Sequence, residues 1–369
     1  MNIIGIIAEY NPLHNGHLYH IKKIKEKYPD SIIILALNGY FTERGEISII
    51  TKEKKTEIAL QNNIDIVLEL PSYFGTQSAD IFANAAIKIL NYYKVEKIII
   101  GSEENNINKL IEIANIQLND KDYDNKVKNL LKEGVNYPTA LAKALDIDFS
   151  FLPNDLLGIS YAKAIIKNNY NIQLETIKRT NDYKDLNSND EIISASNIRE
   201  KINNNININK FVPKETINNI IDINYDNYYK LLKYNILVNN ELDKILDVDE
   251  GIENRLKKYI INSNTLDEFI NIIKTKRYTY NKLNRLCIHI LLNHKKEDNH
   301  HELDYIKILG FNSMGKKYIN KIKKDLLPTI NKDSFIYRFE LQSSLIYDLI
   351  NNTNTYTFEQ RNKPIKKEY

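Results

Sequence analysis

His14, His17 and His20 fall within seven residues, just beyond an apolar run. The stretch reads Gly5-Ile6-Ile7-Ala8-Glu9-Tyr10-Asn11-Pro12-Leu13-His14-Asn15-Gly16-His17. Ile3–Ala8 has the composition of a buried strand, Asn11-Pro12 marks a turn, and a helix opens at Gly16-His17. The free N–H groups and positive dipole end of a helix start suit a polyphosphate, and they disfavour imidazolium. Neutral histidines donating hydrogen bonds to phosphate oxygens are therefore the chemistry expected here. His14 and His17, three residues apart, can face one point, with His20 a turn further on the same side. Gly16 is expected to let the backbone approach the ligand closely. The plainer alternative is a chance cluster of surface histidines, but strand, turn, paired histidines and helix start all coincide.

A second group lies far along the chain, at Ile193-Ser194-Ala195-Ser196-Asn197-Ile198-Arg199. Ser194 is placed to cap a helix, and Arg199, one turn in, to reach a phosphate bidentately. Alone this would be an ordinary cap and a surface arginine.

Both groups need a frame, and the first half of the chain supplies one. Ile3–Ala8, Ile32–Leu37, Ile66–Leu70, Lys97–Ile100 and Gln173–Lys178 are short and mostly β-branched, as strands covered on both faces should be. Helical patterns separate them, roughly at His17–Tyr28, Lys52–Gln61, Ala79–Tyr92, Ile107–Ile116, Tyr123–Asp146 and Asp155–Asn168. This alternation predicts an α/β fold, a Rossmann-like doubly wound parallel sheet, with ligands at the carboxyl ends of its strands. The weakly patterned Asn203–Lys210 segment suggests a boundary, giving domains 1–203 and 204–369. The second is expected to be mainly α-helical, from Asn254–Ile261, Leu266–Ile273, Lys282–Leu292 and Gly315–Lys323.

Charge divides the same way. Residues 1–200 carry 23 Lys and Arg against 27 Asp and Glu, while 201–369 carry 28 against 21. Arg255 to Arg338 alone is 18 against 8. Such a block suits a polyanion, although a solvated helical face would look similar. Tyr278 and Tyr280, beside Lys276-Arg277, are candidates to stack on an unpaired base. The single cysteine, Cys287, excludes an internal disulfide or a Cys-rich zinc site, and its apolar helical setting reads as core. His294, His300 and His301 read as a solvated loop, and no metal site is assigned. There is no G-x-x-x-x-G-K-[ST] loop and no Arg/Gln-x-x-Gly-x-Gly loop, which argues against P-loop and acetyl-CoA chemistry. No apolar run approaches membrane-spanning length, and Met-Asn-Ile-Ile-Gly lacks the basic start of a signal peptide, so a cytoplasmic protein without membrane attachment is expected.

His14-Asn15-Gly16-His17 resembles the H-x-G-H signature of the nucleotidylyltransferase superfamily, and the Ser194–Arg199 turn resembles its second, phosphate-touching signature. Longer stretches narrow the likeness: Glu9 to His17, Asn38-Gly39-Tyr40-Phe41-Thr42-Glu43-Arg44-Gly45-Glu46, Glu69-Leu70-Pro71, Thr76 to Asp80, Gly101-Ser102-Glu103, Pro153 to Ile159 and Ile177-Lys178-Arg179. Gly251 to Arg255, Thr275 to Thr279 and Leu309 to Asn312 continue it. Over nearly its whole length the chain is similar to the bacterial tRNA(Met) cytidine acetate ligase family. One departure is Thr180-Asn181-Asp182-Tyr183-Lys184, where the family tends to have a Gly-rich segment ending in Tyr-His.

The resemblance implies ATP-dependent activation of acetate as acetyl-adenylate, followed by acetylation of the wobble cytidine of elongator tRNA(Met). It implies catalytic roles for His14, His17 and Arg199. It also implies a nucleotide site made of Ile7, Glu9, Tyr10, Asn11, Pro12, His14, Gly16, His17, His20, Gly101, Asn154, Lys178, Arg179, Ser194, Ser196 and Arg199, with Mg²⁺ bridging the phosphates. A small-molecule adenylyltransferase with a helical appendage shares the histidine site but leaves the basic block without a purpose. A non-catalytic tRNA-binding protein with a relic site is the third reading.

Overall fold

The computed structural model describes residues 2–135, 137–145, 151–179, 191–361 and 363–367. The Ile-rich runs form strands because β-branched side chains fill the pleated surface on both faces. They are β1 (Ile3–Ala8), β2 (Ile32–Asn38), β3 (Ile66–Leu70), β4 (Lys97–Ser102) and β5 (Gln173–Lys178). β1 runs parallel to both β2 and β4, β3 parallel to β2, and β5 parallel to β4. β2 is buried along its full length. Gly5 lets the helix Ala79–Tyr92 close on β1: a Cβ there would lie 2.8 Å from Leu90 Cδ1.

Two strands from the second half complete the sheet. β6 (Ile308–Asn312) pairs antiparallel with β3, β7 (Ile365–Lys367) pairs parallel with β6, and the order is β5-β4-β1-β2-β3-β6-β7. Position 203/204 is thus no boundary of the sheet, and residues 204–369 are mostly, not wholly, helical. β6 escapes a sequence reading because it is short and centred on Gly310. That glycine is required by packing, since a Cβ would lie 2.8 Å from Leu60 Cδ1 and Thr56 Cγ2.

Helix limits follow the periodicity closely. Helix α1 spans Asn15–Lys27 and α2 spans Lys52–Gln61. The pattern Tyr123–Asp146 instead yields Tyr123–Lys132 and Tyr137–Leu145, separated by Gly134 in the left-handed region at φ +86°, with Asp146 outside the described residues.

A buried ionic cluster fastens the C-terminal helices to the sheet. Lys52 Nζ lies 2.5 Å from Glu69, 2.7 Å from Glu340 and 2.6 Å from Glu359, and Lys307 pairs with Glu359. Glu340 belongs to the helix Phe335–Asn351 and Glu359 to Thr355–Arg361. Burial raises the Glu359 carboxyl, but Lys52 and Lys307 outweigh it and bring it down to about 2. His294 is likewise core rather than solvated loop, buried beside Tyr73 and Phe339. Cys287 is buried, as its apolar neighbours require.

Candidate active site

β1 is flanked by β2 on one side and β4 on the other, so successive crossovers diverge at its carboxyl end and leave a crevice there. A cleft of about 250 Å³ occupies that point. His14 is the N-cap of α1, and its Nδ1 accepts a hydrogen bond from Gly16 N at 3.0 Å. His14 N in turn donates to His17 Nδ1 at 3.2 Å. Both Nδ1 atoms are therefore acceptors, which puts the proton of each neutral ring on Nε2. The rings lie 3.9 Å apart, centroid to centroid, and Tyr10 packs edge-on against His17.

The expectation of neutral imidazoles holds, but burial is the main cause. Burial, aided by Arg179 and Arg199, pulls His14 down to about 3. His17 is lowered by burial and then by His14 and Arg179. Burial and Arg179 bring His20 to about 4, with the Ile99 backbone pulling the other way, and its Nε2 is buried without a partner. Gly16 also has a role in packing. A Cβ there would sit 2.7 Å from His14 Cε1, so the glycine makes room for the capping ring.

Two arginines reach the same point from distant segments. Ser194 Oγ accepts from Asn197 N and caps the helix Ala195–Asn203, as its sequence implied. Arg199, one turn in, donates to Asn11 O at 2.7 Å, Glu46 Oε2 at 2.6 Å and Ser196 Oγ at 3.3 Å. Arg179 follows β5, with Nε 3.7 Å from Glu103 but without a hydrogen bond there. Asn154 donates to Glu103. Arg179 lies over Gly101, where a Cβ would be in ordinary contact with its Cγ at 3.4 Å.

Of the residues expected around the nucleotide, Ile7, Glu9, Tyr10, Asn11, His14, Gly16, His17, His20, Gly101, Asn154, Lys178, Arg179, Ser194, Ser196 and Arg199 all line the cleft. Pro12 does not; it forms the turn behind it. Thr180–Lys184 lie outside the described residues.

Other residues were not legible as site residues. Glu43, Arg44 and Glu46 line the cleft from the turn after β2. Lys55 is buried beneath it, with Nζ donating to the carbonyls of Glu9 at 2.8 Å, Asn38 at 3.2 Å and Gly39 at 2.7 Å. A lysine on a Lys-rich helix carries no signal of such a position. Glu9 accepts from Asn38 Nδ2 and Glu43 N, and burial raises its carboxyl. The Tyr278 ring is packed away, 5% exposed, with its hydroxyl donating to Asp249 O, so it cannot stack on a base. Among the described residues, one carboxylate group has cation-site spacing, Glu69, Glu340 and Glu359, and Lys52 already fills it.

The model of the HIGH nucleotidyl transferase family matches residues 1–366. A tRNA(Met) cytidine acetate ligase of Fusobacterium nucleatum is 40% identical over 342 residues, covering 88% of this chain and 85% of that protein. Its counterpart in a Geobacillus species is 38% identical over 400 residues, covering 100% and 98%. The chain belongs to the tRNA(Met) cytidine acetate ligase family of HIGH nucleotidyl transferases. A solved structure of a further protein, Thermotoga maritima TmcAL bound with alpha-thio ATP, matches with a TM-score of 0.81 at 28% identity, covering both chains fully. Its apo form matches with a TM-score of 0.83. Two Nε2–H donors and two guanidinium groups thus surround one cleft, an arrangement chemically able to hold an anion.

Proposed function

We propose that this chain is an ATP-dependent ligase that activates acetate as acetyl-adenylate and acetylates the wobble cytidine of elongator tRNA(Met). The observation that carries the reading is the convergence of His14 Nε2–H, His17 Nε2–H, Arg179 and Arg199 on the mouth of β1. Neutral, pre-oriented donors in a site shielded from water stabilise developing charge without reorganising.

In the first step an acetate oxygen attacks the α-phosphorus; the new P–O bond forms as the bond to the bridging oxygen breaks, and pyrophosphate leaves. The histidines hold the charge building on the α-phosphate, and the arginines offset the leaving group. Gly101 and Asn154 sit where the adenosine would lie. Mg²⁺ would arrive with the phosphates and would add positive charge at the pyrophosphate; of the cleft carboxylates, Glu46 pairs with Arg199 and Glu43 with Arg285, so among the described residues they form no cage for it. In the second step the cytidine amine forms a C–N bond to the acetyl carbon, the C–O bond of the mixed anhydride breaks, AMP departs and the amine proton goes to solvent. No protein nucleophile is needed, because the work is positioning and charge stabilisation.

Residues 1–203 carry the ATP site in this reading, and 204–369 supply the basic surface for tRNA. Incubation with ATP, labelled acetate and tRNA is the test. ATP-dependent label in tRNA is expected; label from acetyl-CoA without ATP, or none at all, would refute the assignment.

A further inference from the structure

The chemistry above requires an unpaired cytosine to reach the acetyl group, and the molecule offers a surface for it beside the cleft. The turn carrying Glu43, Arg44 and Glu46 forms one cleft wall. The helix Tyr280–Leu291 lies directly against that turn: a Cβ on Gly45 would be 2.3 Å from Arg285 N and 2.4 Å from Asn284 C. Arg285 also reaches Glu43 at 3.2 Å. Tyr280 stands one turn before Asn284, on the helix face that meets the turn.

A second ring comes from Tyr225, the first residue of the helix Tyr225–Val238. That helix packs on the Tyr280 helix. The segment before it is tied to the same loop by Ile221 N donating to Ile49 O at 2.9 Å. Tyr225 is 48% exposed and Tyr280 47%. Asp267 and Glu46 act electrostatically on both rings, and Arg199 on Tyr225. Two half-exposed rings therefore stand beside the turn that carries the Glu46–Arg199 pair, just outside the residues that line the cleft.

We infer that Tyr225 and Tyr280 form the platform on which the target cytosine stacks, with Glu46 accepting a hydrogen bond from its exocyclic amine. This rests on the ligase reading above. Stacking holds any base, whereas a carboxylate beside the amine selects cytosine over uracil, which presents a carbonyl there. Both rings belong to residues 204–369, and the groups they flank belong to the nucleotide half, so base and acetyl-adenylate meet at the seam.

The test compares wild type with Tyr225→Ala, Tyr280→Ala, Tyr280→Leu and the two Tyr→Phe variants, measuring acetylation kinetics against tRNA and against ATP. Each Ala variant should lower kcat/KM for tRNA by about tenfold or more. KM for ATP should stay put, and Phe should restore activity because the ring, not the hydroxyl, is needed. Tyr280→Leu keeps apolar bulk without a ring and should be as impaired as Ala, which separates stacking from a packing defect. Melting temperatures near wild type are expected for these half-exposed positions. Normal tRNA kinetics in the Ala variants, full activity of the Leu variant, or Phe variants as impaired as Ala would overturn the platform. A wild-type protein that transfers no acetate to tRNA would instead overturn the ligase reading.

Discussion

His17 illustrates how a single residue here couples tautomer, burial and charge. Its Nδ1 is occupied by the His14 amide, so only Nε2–H is available to a phosphate. His17→Ala should lower acetate-dependent pyrophosphate exchange by about 10²-fold or more, because a pre-oriented donor to the developing charge is lost. Thermal melting should change little; loss of fold together with activity would assign His17 to structure instead. His14 adds a pH prediction. It titrates at about 3 in the folded chain, against an ordinary 6.5, because burial and two arginines oppose its charge. The unfolded chain then binds the proton more tightly, so the stability this group contributes is complete above about pH 6.5. It is lost as pH falls from there toward 3. His14→Gln should flatten that acid-side loss in melting experiments between pH 7 and 4. An unchanged pH slope would mean that the imidazole is charged in the folded protein.

At the scale of elements, the start of α1 is where sequence, geometry and chemistry depend on one another most. The capping ring of His14 lies over Gly16, and a methyl group there collides with it. Gly16→Ala should therefore cost at least tenfold in pyrophosphate exchange while removing only about 1 kcal/mol of stability, the usual size of an N-cap effect. A wild-type exchange rate in this variant would show that the ring position is unimportant. The elements themselves were largely legible, since Lys52–Gln61, Ala79–Tyr92 and Leu266–Ile273 appear with the limits their periodicity suggests. β6 and β7 were not. A five-residue strand with a central glycine and a three-residue strand carry too little pattern, and their partners lie far away in sequence.

At the scale of the whole molecule, two features invite measurement. Among the described residues, Lys52 is the one cation paired with Glu69 and Glu340 in the buried cluster, while Glu359 also meets Lys307. Lys52→Ala would leave buried carboxylates uncompensated, and urea unfolding should show a loss of about 3–5 kcal/mol. A loss below 1 kcal/mol would mean that the glutamates protonate or hydrate without cost. On the outer surface, Lys276 and Arg277 are exposed, although Arg277 meets Glu250. Lys276→Ala with Arg277→Ala should weaken tRNA binding and reduce its salt dependence, because fewer counterions are released. Pyrophosphate exchange should be nearly unchanged. The reverse pattern, exchange lost and affinity kept, would refute the division of labour between the two halves.

The sequence by itself determined the parts that depend on neighbours along the chain. These are the Ile-rich strands, the helix periods, the histidine pair at a helix start and the Ser194 cap, all products of backbone geometry and local patterning. Tertiary structure alone decided what depends on chain segments far apart. It brought Arg179 and Arg199 to the histidines, seated Lys55 under Glu9 and neutralised Lys52 with glutamates up to 307 residues away. It also buried Tyr278 and left Tyr280 half exposed, two residues apart on a segment whose composition treats them alike. Burial and long-range charge pairing are properties of the packed molecule, so no local pattern encodes them.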